Sequence, residues 1–395
     1  MSVGGIRSPA EMWAQAHLDR LRVARWHEIG YPGATDITFP HLADLLTAQL
    51  LNNVGHPYDG GGTGRLHTKD SERDVIDMIA DLFSAPPGRW GYGTSGGTEA
   101  ILHAMADARE SLGERLVVYT SDAAHYAVGK AARLLRVQLC RVPARRHGGM
   151  KVAALGERLR ANRKRPAFIV ATAGTTMTEA VDDVAAIARI AQDQSGGRAR
   201  IHVDAALSGI PLALLPPQRR PRFDFASSPL VKSISISGHK FLGTLTPCGV
   251  IVYAGDRRKG RRVSYIGSTD RTVLGSRSGH APLLLWWSLT NPRLPTRAVR
   301  TSFDRQTHTV RAEQARELAR YTKTGLIRLG WPAHLNRHSF TVTFAAPPPA
   351  VLRRWVLPTE DKTAHVVCMP GVVRGQIDDF LTDLESATRS RKRSR

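Results

Sequence analysis

Between Leu116 and Tyr253 short apolar runs alternate with stretches of helical periodicity, and this rhythm leaves few folds open. The candidate strands are Leu116–Tyr119, Val137–Val142, Ala167–Ala171, Ile201–Asp204, Val231–Ser237 and Val250–Tyr253. The candidate helices between them are Thr98–Leu112, Ala123–Leu135, Val152–Asn162 and Val184–Gln194. Strand, helix and strand in regular succession predict an α/β architecture, a mostly parallel central sheet with helices on both faces. Ligands bind such sheets beyond the carboxyl ends of the strands. The residues that close these runs are therefore the first to inspect.

The flanks read differently. Glu11–Trp26 and His41–Leu51 are helical pieces, and Val75, Ile76, Ile79, Leu82 and Phe83 recur with helical spacing over Ser71–Phe83. A glycine cluster, Gly60-Gly61-Gly62-Thr63-Gly64, lies between them. After the basic turn Arg257–Arg262 come an apolar helix near Pro282–Leu289 and a long helical stretch to about Leu329. Strands follow at Phe340–Phe344 and Ala364–Met369. The reading divides the 395 residues into an N-terminal helical arm (1–50), a large α/β domain (51–260), a smaller C-terminal α+β domain (261–385) and a disordered basic tail (386–395).

Hydrophobic residues make up 42% and charged residues 23%, which excludes a mainly disordered or fibrous chain. No apolar run approaches the roughly 18 residues that span a bilayer. The start, Met1–Trp13, has no apolar core of a secretory signal. Cys140, Cys248 and Cys368 are widely spaced, which predicts a reducing, cytoplasmic setting without disulfides or a structural metal site. The net charge is +22, with nine positive residues against one Glu from Arg141 to Arg165 and five in Arg389–Arg395. Such a field attracts anions. No zinc-finger or RNP-type motif accompanies it, so a solvated basic surface is expected and nucleic acid is not the expected partner.

Three segments carry chemistry. Gly93-Thr94-Ser95-Gly96-Gly97-Thr98-Glu99 opens a helix, where small residues and free N–H groups suit an anion such as phosphate. It also reads as a tight loop capped by Thr98, or as G-x-S-x-G with Ser95 as a hydrolase nucleophile. Ile201-His202-Val203-Asp204-Ala205-Ala206 ends a strand in a carboxylate, which either caps the next turn or needs a positive partner. Ser233-Ile234-Ser235-Ile236-Ser237-Gly238-His239-Lys240 ends a strand in a lysine, either a surface residue or a Schiff-base former.

Taken in order, with His125 in Asp122-Ala123-Ala124-His125-Tyr126 and Lys240 lying 36 residues after Asp204, these segments resemble a known family. The chain is similar to the pyridoxal 5'-phosphate (PLP) enzymes of the aspartate-aminotransferase-like fold, fold type I. Within them it resembles the group II amino-acid decarboxylases, in particular the branch of histidine decarboxylases and plant serine decarboxylases. Further matching segments are Ala173-Gly174-Thr175-Thr176, Val181-Asp182-Asp183, Pro247-Cys248-Gly249 and Gly275–His280.

The resemblance implies a cofactor and roles. Lys240 forms the Schiff base with PLP, Asp204 pairs with the pyridine nitrogen, and His125 stacks on the ring. Ala206 packs on the opposite face and Thr175 lies near the ring's edge. Gly97, Thr98, Ser237 and His239 surround the phosphate, with Ser233 beside them and Arg277 near the site's mouth. Lys240, His125 and Asp204 form the catalytic set, and His125 or Tyr265 returns the proton to Cα. The implied reaction is decarboxylation of an L-amino acid, histidine first and serine or another small polar amino acid second. Another PLP-dependent lyase, a Ser95 hydrolase and a non-catalytic basic binding protein are the alternatives. A homodimer with the site at its interface is also implied, with the glycine segment after Asn53 reaching the partner's site. The chain departs from its relatives there: their acidic residue is His56, and their Asn-Tyr is glycine-rich sequence. The change falls on the expected substrate wall.

Overall fold

The computed structural model describes residues 8–59, 64–255, 260–290 and 302–393. The cluster Gly60–Thr63, the turn at 256–259 and the stretch 291–301 lie outside the described residues.

Seven strands build the central sheet: β1 (Trp90–Thr94), β2 (Val117–Ser121), β3 (Gln138–Val142), β4 (Ala167–Thr172), β5 (Ala199–Asp204), β6 (Val231–Ser237) and β7 (Gly249–Tyr253). Their order is β1-β7-β6-β5-β4-β2-β3. Strands β3, β2, β4, β5 and β6 are parallel neighbours, and β7 runs antiparallel to both β6 and β1. Side chains alternate across the sheet. Val117, Tyr119, Ile169 and Ala171 enter one core with the helices Lys69–Leu82, Val152–Ala161 and Val184–Gln194. Val118, Phe168 and Val170 enter a second core with the helices Gly97–Leu112 and Ala127–Leu134. Helices thus cover both faces, and the inner strands read as largely apolar runs because neither face meets water, whereas the edge strand β3 exposes Gln138 and Arg141.

Strand β1 was not foreseen, since two of its five residues are glycine. The close approach of β7 explains one of them: a Cβ on Gly91 would sit 2.4 Å from the Ile251 carbonyl oxygen. The described part of the long helical stretch is Arg305–Arg328. A hairpin, β8 (Arg261–Val263) and β9 (Ser268–Asp270), precedes it, and a four-stranded antiparallel sheet follows. That sheet comprises β10 (Ala333–Leu335), β11 (Thr341–Ala345), β12 (Thr359–Glu360) and β13 (Thr363–Val367). The last helix, Arg374–Arg393, extends into the segment expected to be a disordered tail. Its buried Ile377, Phe380 and Leu384 fasten it to the core, and Glu385 pairs with Arg389 one turn on.

Arg277 is buried in an ion pair with Glu72, their side chains 4% and 1% exposed. Glu72 also accepts from Asn53 Nδ2 and Gly93 N, both at 2.8 Å, and Arg277 Nη2 donates to the Gly55 carbonyl at 2.9 Å. The pair ties the chain before the helix Lys69–Leu82 to β1 and to the loop after β9. Removing one partner strands the other charge in the core. Arg277→Ala is therefore expected to cost about 3–5 kcal/mol, read as a lower midpoint of urea unfolding. Arg320→Ala, which breaks a solvent-exposed pair with Glu317, is expected to cost less than about 1 kcal/mol.

Candidate active site

Strands β4, β5 and β6 end side by side, and the start of the helix Gly97–Leu112 faces their carboxyl ends. Between them lies a cavity of about 310 Å³. It gathers Gly97, Thr98, His125, Asp204, Ala206, Ser237, His239 and Lys240.

Asp204 is the last residue of β5 and only 5% exposed. Its Oδ1 accepts from Ala206 N at 3.1 Å. Among the described residues no cation lies within ion-pair distance of it. The nearby imidazole does not serve: His202, on the same face of β5, is buried between Ser233 Oγ (2.8 Å from Nδ1) and Ser235 Oγ (3.2 Å from Nε2). Burial pulls its pKa down to about 4 against the opposing pull of Asp204, so it is neutral at pH 7. A buried carboxylate in this state fits a protonated ring nitrogen placed in the cavity.

Lys240 follows the end of β6, its carbonyl fixed by Ala34 N at 3.0 Å. Burial pushes its ammonium below the ordinary lysine value and Asp204 partly restores it, which raises the share of nucleophilic amine. His125 sits in the turn before the helix Ala127–Leu134. Its Nδ1 accepts from Ala127 N at 3.3 Å, so the neutral ring carries its proton on Nε2. Burial lowers its pKa, Asp204 opposes that, and Lys240 adds to it.

The remaining groups are donors. The first N–H groups of a 16-residue helix have no partner in the helix itself. Among the described residues, the Thr98 and Ser237 hydroxyls form no hydrogen bond. His239 Nδ1 lies 3.1 Å from the Cys248 carbonyl oxygen and 3.3 Å from its N, which orients the ring. A Cβ on Gly97 would come within 3.3 Å of Ser237 Oγ and 3.6 Å of Ala206 Cβ, so the pocket depends on a missing side chain. Phosphate at the helix start, a ring nitrogen at Asp204 and a carbonyl at Lys240 together fit PLP.

Several expected residues lie elsewhere. Thr175 does not line the cavity, because its hydroxyl is used within its own turn, 2.9 Å from Thr178 Oγ1 and accepting from Ala180 N at 3.0 Å. Ser233 faces His202. Arg277 is in the buried pair with Glu72, not at the mouth. Tyr265 is 80% exposed and lines a different cavity, beside Leu50 and Lys69. His56 is buried against Trp90, whose indole N–H donates to its Nε2 at 2.8 Å, and it does not reach this cavity. Ser95 is exposed, and among the described residues its hydroxyl has no histidine partner, the contact a serine nucleophile requires.

Two carboxylates that lie within the quoted motifs, but to which the sequence assigned no role, shape the site. Glu99 accepts from Ser95 N at 2.7 Å and from Tyr92 OH at 3.1 Å, which holds the glycine loop in place. A glutamate at the third helical position was its signal. Asp182 joins Met150 N (2.7 Å) to Thr172 N (2.9 Å), and burial lifts its pKa to about 6.

A family model described as the pyridoxal-dependent decarboxylase conserved domain matches residues 70–261. A histidine decarboxylase of Mesorhizobium japonicum is 35% identical over 364 residues, covering 91% of this chain and 94% of its own. Serine decarboxylase 3 of Oryza sativa is 35% identical over 368 residues, covering 92% of this chain and 78% of its own. Among solved structures, the fold of an L-methionine decarboxylase from Streptomyces sp.590 matches with a TM-score of 0.85. The match covers 98% of this chain and 96% of that one, at 24% identity.

Proposed function

This chain belongs to the pyridoxal-dependent decarboxylase family and is a PLP-dependent amino-acid decarboxylase, and from that premise we propose that its substrate is L-histidine. The amine and carbon dioxide are the products. The observation that carries PLP chemistry is the buried Asp204, with no cation within ion-pair distance among the described residues, sharing one small cavity with Lys240; the decarboxylase relatives carry the reaction. A histidine decarboxylase that matches along 94% of its own length supports histidine, and the serine decarboxylase, matching at the same 35% identity, makes serine the competing substrate. Tyr126, 66% exposed on the cavity wall beside His125, is an aromatic contact within reach of an imidazole side chain.

When bound, PLP supplies the electron sink for the pair left behind by the departing carboxylate. Lys240 would hold it through its amine, and Asp204 would keep the ring nitrogen protonated. Gly97, Thr98, Ser237 and His239 would take the phosphate, while His125 and Ala206 would flank the ring. The apolar walls at Ile101 and Pro247 would limit water beside the reacting carbon. His125, facing the cavity, would return a proton to Cα only as the imidazolium, taking one up from solvent and ending as the neutral ring; Tyr265 lines a different cavity.

Carbon dioxide release from individual L-amino acids tests the substrate. The kcat/KM for histidine is expected to exceed those for serine and methionine by on the order of tenfold or more. A preference for serine would overturn the assignment to histidine and leave the reaction class standing.

The reading includes a homodimer in the cytoplasm. The helix Pro9–His27 buries none of its residues and exposes Met12, Trp13, Leu18, Leu21 and Val23, an apolar surface suited to a second copy of the chain. Light scattering is expected to give twice the chain mass; a stable monomer with full activity would contradict this.

A further inference from the structure

A second cavity, of about 630 Å³, opens where the turn at 145–149 meets the loops 180–183, 218–222 and 336–338. It shares no lining residue with the cavity around Lys240. Six arginines line it: Arg145, Arg146, Arg219, Arg220, Arg222 and Arg337. Among the described residues none of the six lies within ion-pair distance of a carboxylate. The two acidic residues in the wall are committed elsewhere. Both Asp182 oxygens accept backbone N–H groups, and Asp183 Oδ1 caps the helix Val184–Gln194 by accepting from Ala186 N at 3.0 Å. Arg220 Nε and His338 Nε2, on residues that line the cavity, are shut off from solvent with no hydrogen-bond partner.

The walls are held together without a ligand. His147 stacks flat on His334, with ring centroids 3.6 Å apart at 9°. Asn336 Nδ2 donates to the His147 carbonyl at 3.0 Å and to the Thr178 carbonyl at 2.8 Å. Asp182 and Asp183 offset part of this charge, with Arg145 near enough to lower the pKa of Asp182, but six guanidinium groups against two carboxylates leave the cavity positive and favour an anion in it. Guanidinium groups match phosphate oxygens in paired, charge-assisted hydrogen bonds. The volume is that of a small-molecule site rather than of a duplex groove.

We propose that this cavity binds an oligophosphate, the chain of linked phosphates carried by a nucleoside triphosphate or by inorganic tripolyphosphate. The holoenzyme, whose own phosphate cradle is filled by the cofactor, is titrated calorimetrically with tripolyphosphate and with ATP at fixed ionic strength. Both are expected to bind saturably at one site per chain, more weakly as salt is raised. Arg219→Gln/Arg337→Gln, two changes at exposed positions, is expected to weaken both by about tenfold or more and to leave decarboxylation unchanged. Arg145→Gln, made separately, repeats the test if the double variant does not fold. Unchanged affinity in the folded variants overturns the proposal. So does binding of ATP without tripolyphosphate, which would mean that the base is recognised. Binding of a single-stranded oligonucleotide alone also overturns it and assigns the surface to nucleic acid.

Discussion

Asp204→Asn is expected to lower kcat by about 10²–10³-fold while the protein stays folded. The substitution keeps the shape of the side chain and its acceptor for Ala206 N, and removes only the charge. Among the described residues that charge has no substitute. His202 is neutral and turned to Ser233 and Ser235, and the cavity holds no second carboxylate positioned like Asp204 at the end of β5. A buried anion raises the proton affinity of a ring nitrogen beside it, and an amide does not. The stability of the cofactor-free protein does not fall with turnover. There Asp204 is a buried charge with no cation within ion-pair distance among the described residues, Lys240 acting on it only across the cavity, so the amide is expected to hold the urea midpoint. Loss of turnover with retained stability separates a role toward the cofactor from a structural one. Loss of both would place Asp204 in the scaffold and contradict the assignment.

The fold was legible because the strands of a covered parallel sheet are apolar on both faces, which marks them off from the amphipathic helices between them. Val231–Ser237 and Val184–Gln194 fall where the pattern puts them. Where the pattern failed, tertiary contact had overridden it. Strand β1 owes its conformation to pairing with β7 rather than to the propensity of Trp-Gly-Tyr-Gly-Thr. The helix expected from Ala123 begins at Ala127, because the intervening backbone folds into the turn that presents His125. His41–Leu51 is helical only in its first part, a 3-10 turn Pro40–Leu42 running into the short α-helix Ala43–Ala48.

The cavity was legible to the same extent. Its residues sit at strand ends and a helix start, and such positions follow from element boundaries alone. Side-chain direction does not follow from them. Thr175 shares a turn with Gly174 and Thr176, which line the cavity, yet its own hydroxyl points into that turn. Arg277 is distant in sequence from Glu72, and only the folded chain shows that they meet. The arginines around His338 were visible only as a share of the net charge, since three separate segments bring them together.

Lys240→Ala is expected to abolish carbon dioxide release, by at least about 10⁴-fold, and Lys240→Arg to be equally inactive. Arginine keeps the positive charge near Asp204 but stays protonated and cannot act as a nucleophilic amine. The chain offers one instructive rival. Lys69 is also buried, 2% exposed, and its pKa is lowered chiefly by burial and further by Arg277. A depressed pKa therefore does not distinguish the two lysines; position does. Lys240 opens onto the cavity that contains Asp204 and the helix start, and Lys69 borders a different cavity with Tyr265. Borohydride reduction of the holoenzyme is expected to place the pyridoxyl mass on the peptide containing Lys240 and to leave that of Lys69 unmodified. In Lys240→Ala no peptide is expected to carry it. A label on Lys69, or turnover surviving in Lys240→Ala, would move the reaction out of the cavity at the ends of β4, β5 and β6.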